Sequence, residues 1–332
     1  MLYRVLGPTG LRVSVISYGV YSLTGMYGPV GMEEALSLLR YARELGINLF
    51  DTGDVYGYGM GEEILRRALG DGIEEAVVAT KIGYDFYSSR ERPARRYDEK
   101  YLRFAAGMSA KRLGKRPIDL LQLHNPPLEV LKKREVYRTA KALIDEGLIE
   151  HFGIALGPEV DVLPQAMEAL KHDEVEVLQF VYNALEQEPG RVIAKEARKH
   201  GVGVMVRVPH AGGVLDETIG PEEAEALRDH RMLRRQGWFK WAFKAYRAMK
   251  EKLGPLPGTP GQKALKFIDQ TIRPDSIVVI AKDRETLSDY TDYTKIKDLP
   301  GDVIEYIKKI YDQAIWESPE IPASLKSRVE VG

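Results

Sequence analysis

Residues 48–57 read Asn-Leu-Phe-Asp-Thr-Gly-Asp-Val-Tyr-Gly. A short apolar run passes directly into a polar, glycine-rich loop, which predicts a buried strand that ends at Asp51 and a loop that carries Tyr56. Two later apolar runs end near Lys81 and His124 in the same way. Because the carboxyl ends of parallel strands meet at one edge, this pattern predicts an α/β fold with its chemistry gathered on one rim.

The alternation of strand and helix repeats along the chain. Predicted strands are centred near residues 16, 48, 78, 120, 152, 178, 205 and 278. Helical periodicity follows at about 32–45, 60–69, 98–113, 129–146, 160–171, 190–200, 261–271 and 284–290. Eight βα units predict a (β/α)8 TIM barrel, and several strands are the continuous apolar runs of a buried parallel sheet. A doubly wound sheet that uses fewer strands is the alternative.

A turn signal opens the chain. Residues 2–6 and 11–15 flank Gly7-Pro8-Thr9-Gly10, which predicts an N-terminal β-hairpin ahead of the first barrel strand. We expect residues 1–332 to form a single domain built on one barrel.

Three segments are additional to the eight βα units of a simple barrel. Residues 82–97 form an arginine-rich loop after the third strand, and residues 209–260 place extra helices in the loop after strand 7. Residues 301–332 carry an extra helix at about 302–315 and an irregular tail at the C-terminus. The basic loop is either a solvated lid or part of the site, and the aromatic helix near residues 238–246 either packs on the barrel or lines a pocket.

The composition excludes several classes of protein. The 332 residues are 44% hydrophobic, which is enough for a sizeable core, and 48 Lys and Arg against 49 Asp and Glu argue against a nucleic-acid binder held by overall charge. No apolar run approaches the roughly 18 residues of a membrane span, and no signal peptide is visible, so a cytoplasmic protein without a membrane partner is expected. There is no cysteine, and the six histidines lack paired spacing, so we expect no metal site.

Four ionisable side chains are predicted at the ends of three successive strands: Asp51, Tyr56, Lys81 and His124. Neighbouring strands lie roughly 5 Å apart, so these side chains can converge. A free tyrosine has a pKa of about 10, and we expect the Lys81 ammonium, held by Asp51, to lower the pKa of Tyr56. A phenol and an imidazole can together meet the negative charge that develops when a carbonyl is reduced. The hydride must come from a cofactor, because no side chain carries one.

Other interpretations of these residues stay open. Asp51 could cap a helix, Lys81 could be a rim cation, and His124 could belong to a turn before Asn-Pro-Pro. A lysine at a barrel strand end could also form a Schiff base with a carbonyl substrate, which would make the protein a lyase. Residues 57–61, Gly-Tyr-Gly-Met-Gly, lack the spacing of a dinucleotide-binding loop, and the next strand ends in Lys81 and not in an acid.

The sequence resembles the aldo-keto reductase family from about residue 6 to residue 290. The matching segments are Phe50-Asp-Thr-Gly-Asp-Val-Tyr-Gly57 with Glu62, Thr80-Lys-Ile-Gly-Tyr84, Ser109-Ala-Lys-Arg-Leu-Gly114 and Ile118-Asp-Leu-Leu-Gln-Leu-His-Asn-Pro-Pro127. The resemblance implies a barrel enzyme that reduces an aldehyde or ketone to an alcohol. It implies Tyr56 as the general acid, Asp51 and Lys81 as a charged pair, and His124 as the residue that orients the carbonyl.

The resemblance also implies NADPH as the cofactor, with NADH possible. The residues implied at its nicotinamide end are Gly19, Val20, Tyr21, Asp51, Gln179 and Arg207. Those implied along the pyrophosphate and the adenosine phosphate are Pro209, Gly213, Leu215, Ile280, Ala281, Lys282, Arg284 and Asp289. Lys282 and Arg284 offer two cations to a 2′-phosphate, which favours NADPH. Ala155-Leu156 stand where the family usually has Ser-Asn, so more of the nicotinamide binding falls to Gln179 and Arg207.

A second function is compatible with the same resemblance. Some members of this family are nucleotide-sensing partners of ion channels, so a regulatory protein with little turnover remains an alternative, beside the lyase that would use Lys81. The expected partner is a small-molecule carbonyl substrate.

Overall fold

The protein is built around a closed barrel of eight parallel strands, seen in a computed structural model that describes residues 1–158, 162–234 and 237–317. The strands of the described part, in chain order, are β1 (Tyr3–Val5), β2 (Arg12–Ser14), β3 (Ile16–Gly19), β4 (Leu49–Asp51), β5 (Val77–Ile82), β6 (Tyr84–Asp85), β7 (Ala94–Arg95), β8 (Ile118–His124), β9 (Ile149–Ala155), β10 (Val177–Val181), β11 (Gly203–Arg207) and β12 (Ser276–Val279). The barrel runs β3-β4-β5-β8-β9-β10-β11-β12 and closes between β12 and β3. The predicted (β/α)8 barrel is confirmed, and the doubly wound alternative is wrong.

The N-terminal hairpin closes one end of the barrel. Strands β1 and β2 pair antiparallel, and Leu6 and Val13 pack inside the barrel with Leu49 and Val77, which are the first residues of β4 and β5. Gly7 has a φ of +50°, and a Cβ there would lie 2.3 Å from the backbone nitrogen of Gly203, so only glycine fits this close approach. The hairpin therefore occupies the amino-terminal end of the strands and leaves the carboxyl end for the site.

Helices cover the outside of the barrel and extend its carboxyl-terminal end. Those described are α1 (Met32–Glu44), α2 (Met60–Leu69), α3 (Glu99–Leu113), α4 (Leu128–Leu131), α5 (Arg134–Asp145), α6 (Leu163–Ala169), α7 (Gly190–Lys199), α8 (Pro221–Glu225), α9 (Trp238–Leu253), α10 (Pro260–Ile272), α11 (Arg284–Thr291) and α12 (Gly301–Glu317). The single helix predicted over 129–146 is instead two helices. The Tyr137 hydroxyl donates a hydrogen bond of 2.7 Å to the carbonyl of Leu131, so that carbonyl is engaged from outside where α4 ends.

The added segments have ordered contacts of their own. In the basic loop over 82–97, β6 and β7 form a two-stranded hairpin, and Arg96 pairs with the buried Asp85 at 3.0 Å. Helix α9 packs on α12, where the Trp241 indole nitrogen donates to the carbonyl of Ala314 at 2.9 Å. The start of the helix predicted at 160–171 and the C-terminal tail from residue 318 lie outside the described residues. No described helix is both long enough and apolar enough to cross a membrane.

Candidate active site

The four predicted catalytic residues are held by three strands that are neighbours in the barrel. Asp51 is the last residue of β4, Lys81 is the penultimate residue of β5, and His124 is the last residue of β8. Strand β5 pairs with both β4 and β8, and Tyr56 follows in the loop between β4 and α2. The structure therefore brings all four side chains to the carboxyl-terminal end of the barrel.

Lys81 and Asp51 form a buried ion pair. The Lys81 Nζ lies 2.6 Å from the Asp51 Oδ2, and the two side chains are 1% and 6% exposed. Lys81 also donates to the carbonyl of Thr52 at 2.7 Å, and the Gln179 amide donates to the Asp51 Oδ1 at 2.7 Å. Burial lowers the pKa of Lys81, and the Asp51 carboxylate opposes this shift. Asp51 thus positions Lys81 and Gln179 at the same time.

Tyr56 lies between this ion pair and two aromatic rings. Its ring centroid is 5.2 Å from the Lys81 Nζ, 4.7 Å from the Tyr21 ring and 5.6 Å from the His124 ring. Burial raises the pKa of Tyr56 above its ordinary value, and the Asp51 carboxylate raises it further, while Arg207 lowers it. The expectation of a lowered pKa is wrong here, because burial and the Asp51 carboxylate outweigh the lowering by nearby cations. Tyr56 therefore keeps its proton at neutral pH.

His124 is a neutral imidazole at neutral pH. Burial and the nearby cations Lys81 and Arg207 hold its pKa well below the usual value of 6.5. Its ring packs edge-on against Tyr84 at 5.0 Å, and its Nδ1 is buried without a hydrogen-bond partner in the described part of the chain. The backbone of His124 is fixed by the Tyr97 hydroxyl, which donates to its carbonyl at 2.7 Å. A neutral, fixed imidazole can donate one hydrogen bond to a carbonyl oxygen.

The residues implied at a nicotinamide surround the same strand ends. Gly19 ends β3, and a Cβ there would lie 3.0 Å from the Val278 side chain, so the backbone is closely packed where Val20 and Tyr21 follow. The Gln179 Oε1 is buried and lacks a partner among the described residues. An unused buried acceptor fits the amide donor of a carboxamide. The residues present therefore fit a nicotinamide at this end of the barrel.

Arg207 has a different contact from the one implied. Its Nη2 donates to the carbonyl of Leu156 at 2.6 Å, so its guanidinium is anchored to the segment after β9. Ala155 and Leu156 lack polar side chains, yet the backbone of Leu156 still contributes to the site through this acceptor. Arg207 is the last residue of β11, which places a flat cation at the same end of the barrel as Asp51 and His124.

The residues implied along the phosphates lie on two segments. Pro209, Gly213 and Leu215 belong to the segment after β11, and Ile280 and Ala281 follow β12. Lys282 and Arg284 are both exposed; Lys282 donates to the carbonyl of Tyr27, and Arg284 donates to the Ser37 hydroxyl at 2.8 Å. Both carboxylate oxygens of Asp289 accept hydrogen bonds from α10 and its cap, namely from Thr259 and Gln262. Asp289 therefore joins α11 to α10, and its oxygens are already engaged.

Comparison with known proteins identifies the chain. A family model described as the aldo/keto reductase family matches residues 15–312. The chain belongs to the aldo/keto reductase family. It is thus an oxidoreductase that acts on carbonyl compounds, in a family that uses nicotinamide cofactors.

Individual relatives of this aldo/keto reductase are distant. It is 30% identical over 230 residues to L-galactose dehydrogenase of Arabidopsis thaliana, which covers 66% of this chain and 68% of that protein. It is 26% identical over 325 residues to the uncharacterized oxidoreductase YqkF of Bacillus subtilis (strain 168), covering 96% of this chain and 99% of that one. The holo form of aldo-keto reductase AKR11C1 from Bacillus halodurans superimposes with a TM-score of 0.79 at 23% identity, over 98% of this chain and 99% of that chain. The last similarity supports the fold.

The aldo/keto reductase site also contains residues that the sequence did not single out. His230, in the insertion after β11, stacks edge-on against Tyr21 at 4.9 Å and Tyr27 at 4.2 Å, and its Nδ1 lies 2.9 Å from the carbonyl of Met26. Tyr21 in turn contacts Tyr56, so His230 and Tyr27 cover the rings beside the proposed acid. No sequence signal links residues that are more than 200 positions apart, so only the fold could reveal this cover.

A buried carboxyl beside this site predicts a pH-dependent stability. Both carboxylate oxygens of Asp54 are buried without side-chain hydrogen-bond partners among the described residues, and burial together with Glu62 raises its pKa well above 3.8. The folded state therefore binds this proton more tightly, so stability falls as pH rises from about 4 towards the folded pKa. We expect the free energy of unfolding of Asp54→Asn, relative to that of the parent, to increase as pH rises from 4 to 7. The increase should be about 1.4 kcal/mol for each unit by which folding raises the Asp54 pKa within that range.

Urea unfolding of parent and variant at both pH values measures this difference. Asp85→Asn is the matched control, because hydrogen bonds from Ser88 and Arg96 outweigh burial and hold the pKa of Asp85 below 3.8. For this control the pH dependence has the opposite sign and lies below about pH 4, so the effect of Asp85→Asn should be nearly the same at pH 4 and pH 7. An Asp54→Asn effect that is the same at pH 4 and pH 7 would contradict the prediction.

Proposed function

We propose that this aldo/keto reductase uses NADPH to reduce an aldehyde or a ketone to an alcohol, with Tyr56 as the general acid. The observation that carries the proposal is the convergence of Tyr56, His124 and the Lys81–Asp51 pair at three adjacent strand ends. A donor phenol, a neutral imidazole and a nearby ammonium match the charge that develops on a carbonyl oxygen during reduction.

Tyr56 supplies the proton of the reaction. A reduced nicotinamide, when bound, provides the hydride for the carbonyl carbon. The carbonyl oxygen then takes the proton from the Tyr56 hydroxyl, which leaves an alcohol product and a phenolate. Because burial and Asp51 raise the pKa of Tyr56, the phenol is protonated before the reaction. The Lys81 ammonium, 5.2 Å from the ring centroid, favours the phenolate that remains.

His124 and Asp51 position other groups of the site and do not transfer the proton themselves. The neutral His124 ring donates one hydrogen bond to the carbonyl oxygen and so holds it near the Tyr56 hydroxyl. Asp51 keeps Lys81 and Gln179 in place through its two carboxylate oxygens. A Schiff-base role would require Lys81 to leave both Asp51 and Thr52, which favours its role as a fixed cation.

The same chain supplies groups for both ends of the cofactor. Gly19, Val20, Tyr21, Gln179 and Arg207 would hold the nicotinamide and its ribose. Along the phosphates the groups would be Pro209, Gly213, Leu215, Ile280, Ala281, Lys282 and Arg284. Asp289 would support this end indirectly, since its carboxylate binds α10. Two exposed cations two positions apart, Lys282 and Arg284, suit a 2′-phosphate, which NADH lacks.

The cofactor assignment predicts a selective loss. We expect Lys282→Ala with Arg284→Ala to weaken NADPH binding about 10–100-fold, because charge-assisted hydrogen bonds to a phosphate contribute about 1.5–3 kcal/mol. NADH binding should change by less than about threefold. Fluorescence titration of the purified protein with each cofactor measures both Kd values.

A charge-matched control separates local contacts from overall charge. Lys141→Ala with Lys199→Ala removes the same charge from exposed ion pairs on α5 and α7. This control should leave both Kd values unchanged. A parallel loss of NADPH and NADH affinity in the first variant would refute the 2′-phosphate assignment.

The reductase activity itself is tested by NADPH oxidation over a panel of aldehydes and ketones. We expect turnover with at least one class of carbonyl compound. Tight NADPH binding without turnover on any panel member would instead support a regulatory protein. Trapping of a substrate on Lys81 by borohydride in the absence of nicotinamide would support a lyase.

A further inference from the structure

A second cavity lies outside the catalytic site. It has a volume of about 350 Å³, within the range of roughly 300–1,000 Å³ that small-molecule sites occupy. It is bordered by α9, α10 and α12, by Leu215 and Glu217 in the segment after β11, and by Ala184 in the segment after β10. Its apolar lining comes from Ala184, Leu215, Leu253, Ala264, Phe267 and Ile307.

Helix α10 separates this cavity from the proposed cofactor residues on α11. Gln262 of α10 donates to the Asp289 carboxylate of α11 at 2.9 Å. Lys263, Ala264 and Phe267, on another face of the same helix, line the cavity. Leu215 is the one residue that the cavity lining shares with the residues proposed along the cofactor, and the rest of the lining comes from other residues.

The polar part of the cavity contains a nearly buried lysine, Lys263, beside an ion pair. Lys263 is only 7% exposed, and its Nζ donates to the carbonyls of Leu253 and Gly254 at 3.0 and 3.4 Å. Lys250 pairs with Glu217 at 2.7 Å, and the Tyr246 hydroxyl donates to the same carboxylate at 3.0 Å. Lys263 forms no direct ion pair within the described ranges, and the Glu217 carboxylate acts on its charge only from a distance.

A purely structural role explains part of this arrangement. The two carbonyls end α9, and a cation at a helix C-terminus is favourable. An ammonium has three donors, however, and only two of those of Lys263 are used within the described chain. Burial lowers the pKa of Lys263, and the Glu217 carboxylate opposes this shift. A helix cap alone also leaves the adjoining apolar space without a purpose.

We propose that this cavity binds a small carboxylate with an apolar body. The carboxylate accepts a hydrogen bond from the Lys263 ammonium, and the apolar body lies against Phe267, Ala264 and Ile307. Burial of a charge pair next to apolar walls selects against neutral molecules and against polyanions, because each would leave a buried charge unbalanced. The proposal does not depend on the redox reaction.

Isothermal titration calorimetry of the full chain with octanoate tests the proposal. We expect saturable binding at one site, and binding of the neutral 1-octanol at least tenfold weaker. Lys263→Met should weaken octanoate binding at least tenfold, which corresponds to about 1.4 kcal/mol. Lys266→Met is the matched control, because Lys266 lies on the same helix, is 8% exposed and pairs with Asp298 outside the cavity. This control should bind octanoate like the parent.

A second variant keeps the test independent of the α9 cap. Ala264→Met fills the cavity and retains Lys263, so it should also weaken octanoate binding at least tenfold. Octanoate bound in the catalytic site would be insensitive to both changes. Undiminished binding in Ala264→Met, or the absence of saturable binding to the parent chain, would overturn the proposal.

Discussion

Tyr56→Phe is expected to lower kcat/KM for carbonyl reduction by a factor of about 10²–10⁴, the usual contribution of a general acid. The substitution removes only the hydroxyl group. Among the described residues the Tyr56 hydroxyl has no hydrogen-bond partner, and the ring keeps its contacts with Tyr21 and His124. The variant should therefore fold like the parent and bind NADPH with a Kd within about twofold of the parent value.

The measurement is steady-state NADPH oxidation, combined with a fluorescence titration for the Kd. Tyr58→Phe serves as the control in the same loop, because the Tyr58 hydroxyl donates to the carbonyl of Arg90 at the surface. That control should retain turnover within about twofold. If Tyr56→Phe kept the activity of the parent, Tyr56 would not be the proton donor and the proposed mechanism would fail.

The barrel could be predicted because its strands are encoded locally. Every residue of β5, from Val77 to Ile82, is buried, and the strand opens with the apolar run Val77-Val78-Ala79. Such apolar runs between helical repeats indicate a covered parallel sheet. Asp51 and His124 are polar residues that end such runs, and the topology alone then places them on one rim. Local periodicity therefore determines the architecture and the approximate position of the candidate site.

The electrostatics of the site could not be predicted from the same pattern. The sign of the pKa shift at Tyr56 depends on how completely water is excluded and on the Asp51 carboxylate, which pairs with Lys81. Both depend on contacts between strands that are far apart in sequence, such as the hydrogen bond from Gln179 to Asp51 across 128 positions. The sequence identified the charged groups, but their net effect required the geometry.

The cover of the site and the second cavity depend on the insertion after β11. His230 reaches Tyr27, and Tyr246 and Lys250 enclose the space beside Lys263, yet their helices are joined to the barrel by loops with no periodic signal. Aromatic residues at helical spacing indicate that α9 has a buried face, but they do not identify the element that packs against this face. Tertiary packing decides that the partner is α12.

Lys81→Met is expected to abolish turnover and also to destabilise the fold by about 3–5 kcal/mol, because it leaves the Asp51 carboxylate buried without its cation. Methionine has nearly the shape of the lysine stem, so packing is retained and the loss is electrostatic. The Gln179 amide would still donate to Asp51 but carries no charge to balance it. Urea unfolding gives the stability change, and NADPH oxidation gives the activity.

The double variant Asp51→Asn with Lys81→Met separates the two effects. Removing both charges together should restore most of the stability, since a buried ion pair can often be replaced by neutral groups at little cost. Turnover should remain abolished, because no ammonium is left to favour the Tyr56 phenolate. Lys141→Met is the reference for an exposed pair and should cost less than about 1 kcal/mol. Recovery of turnover in the double variant would show that the ion pair is needed only for folding. Recovery of stability without turnover would show that the charge of Lys81 is needed for the reaction.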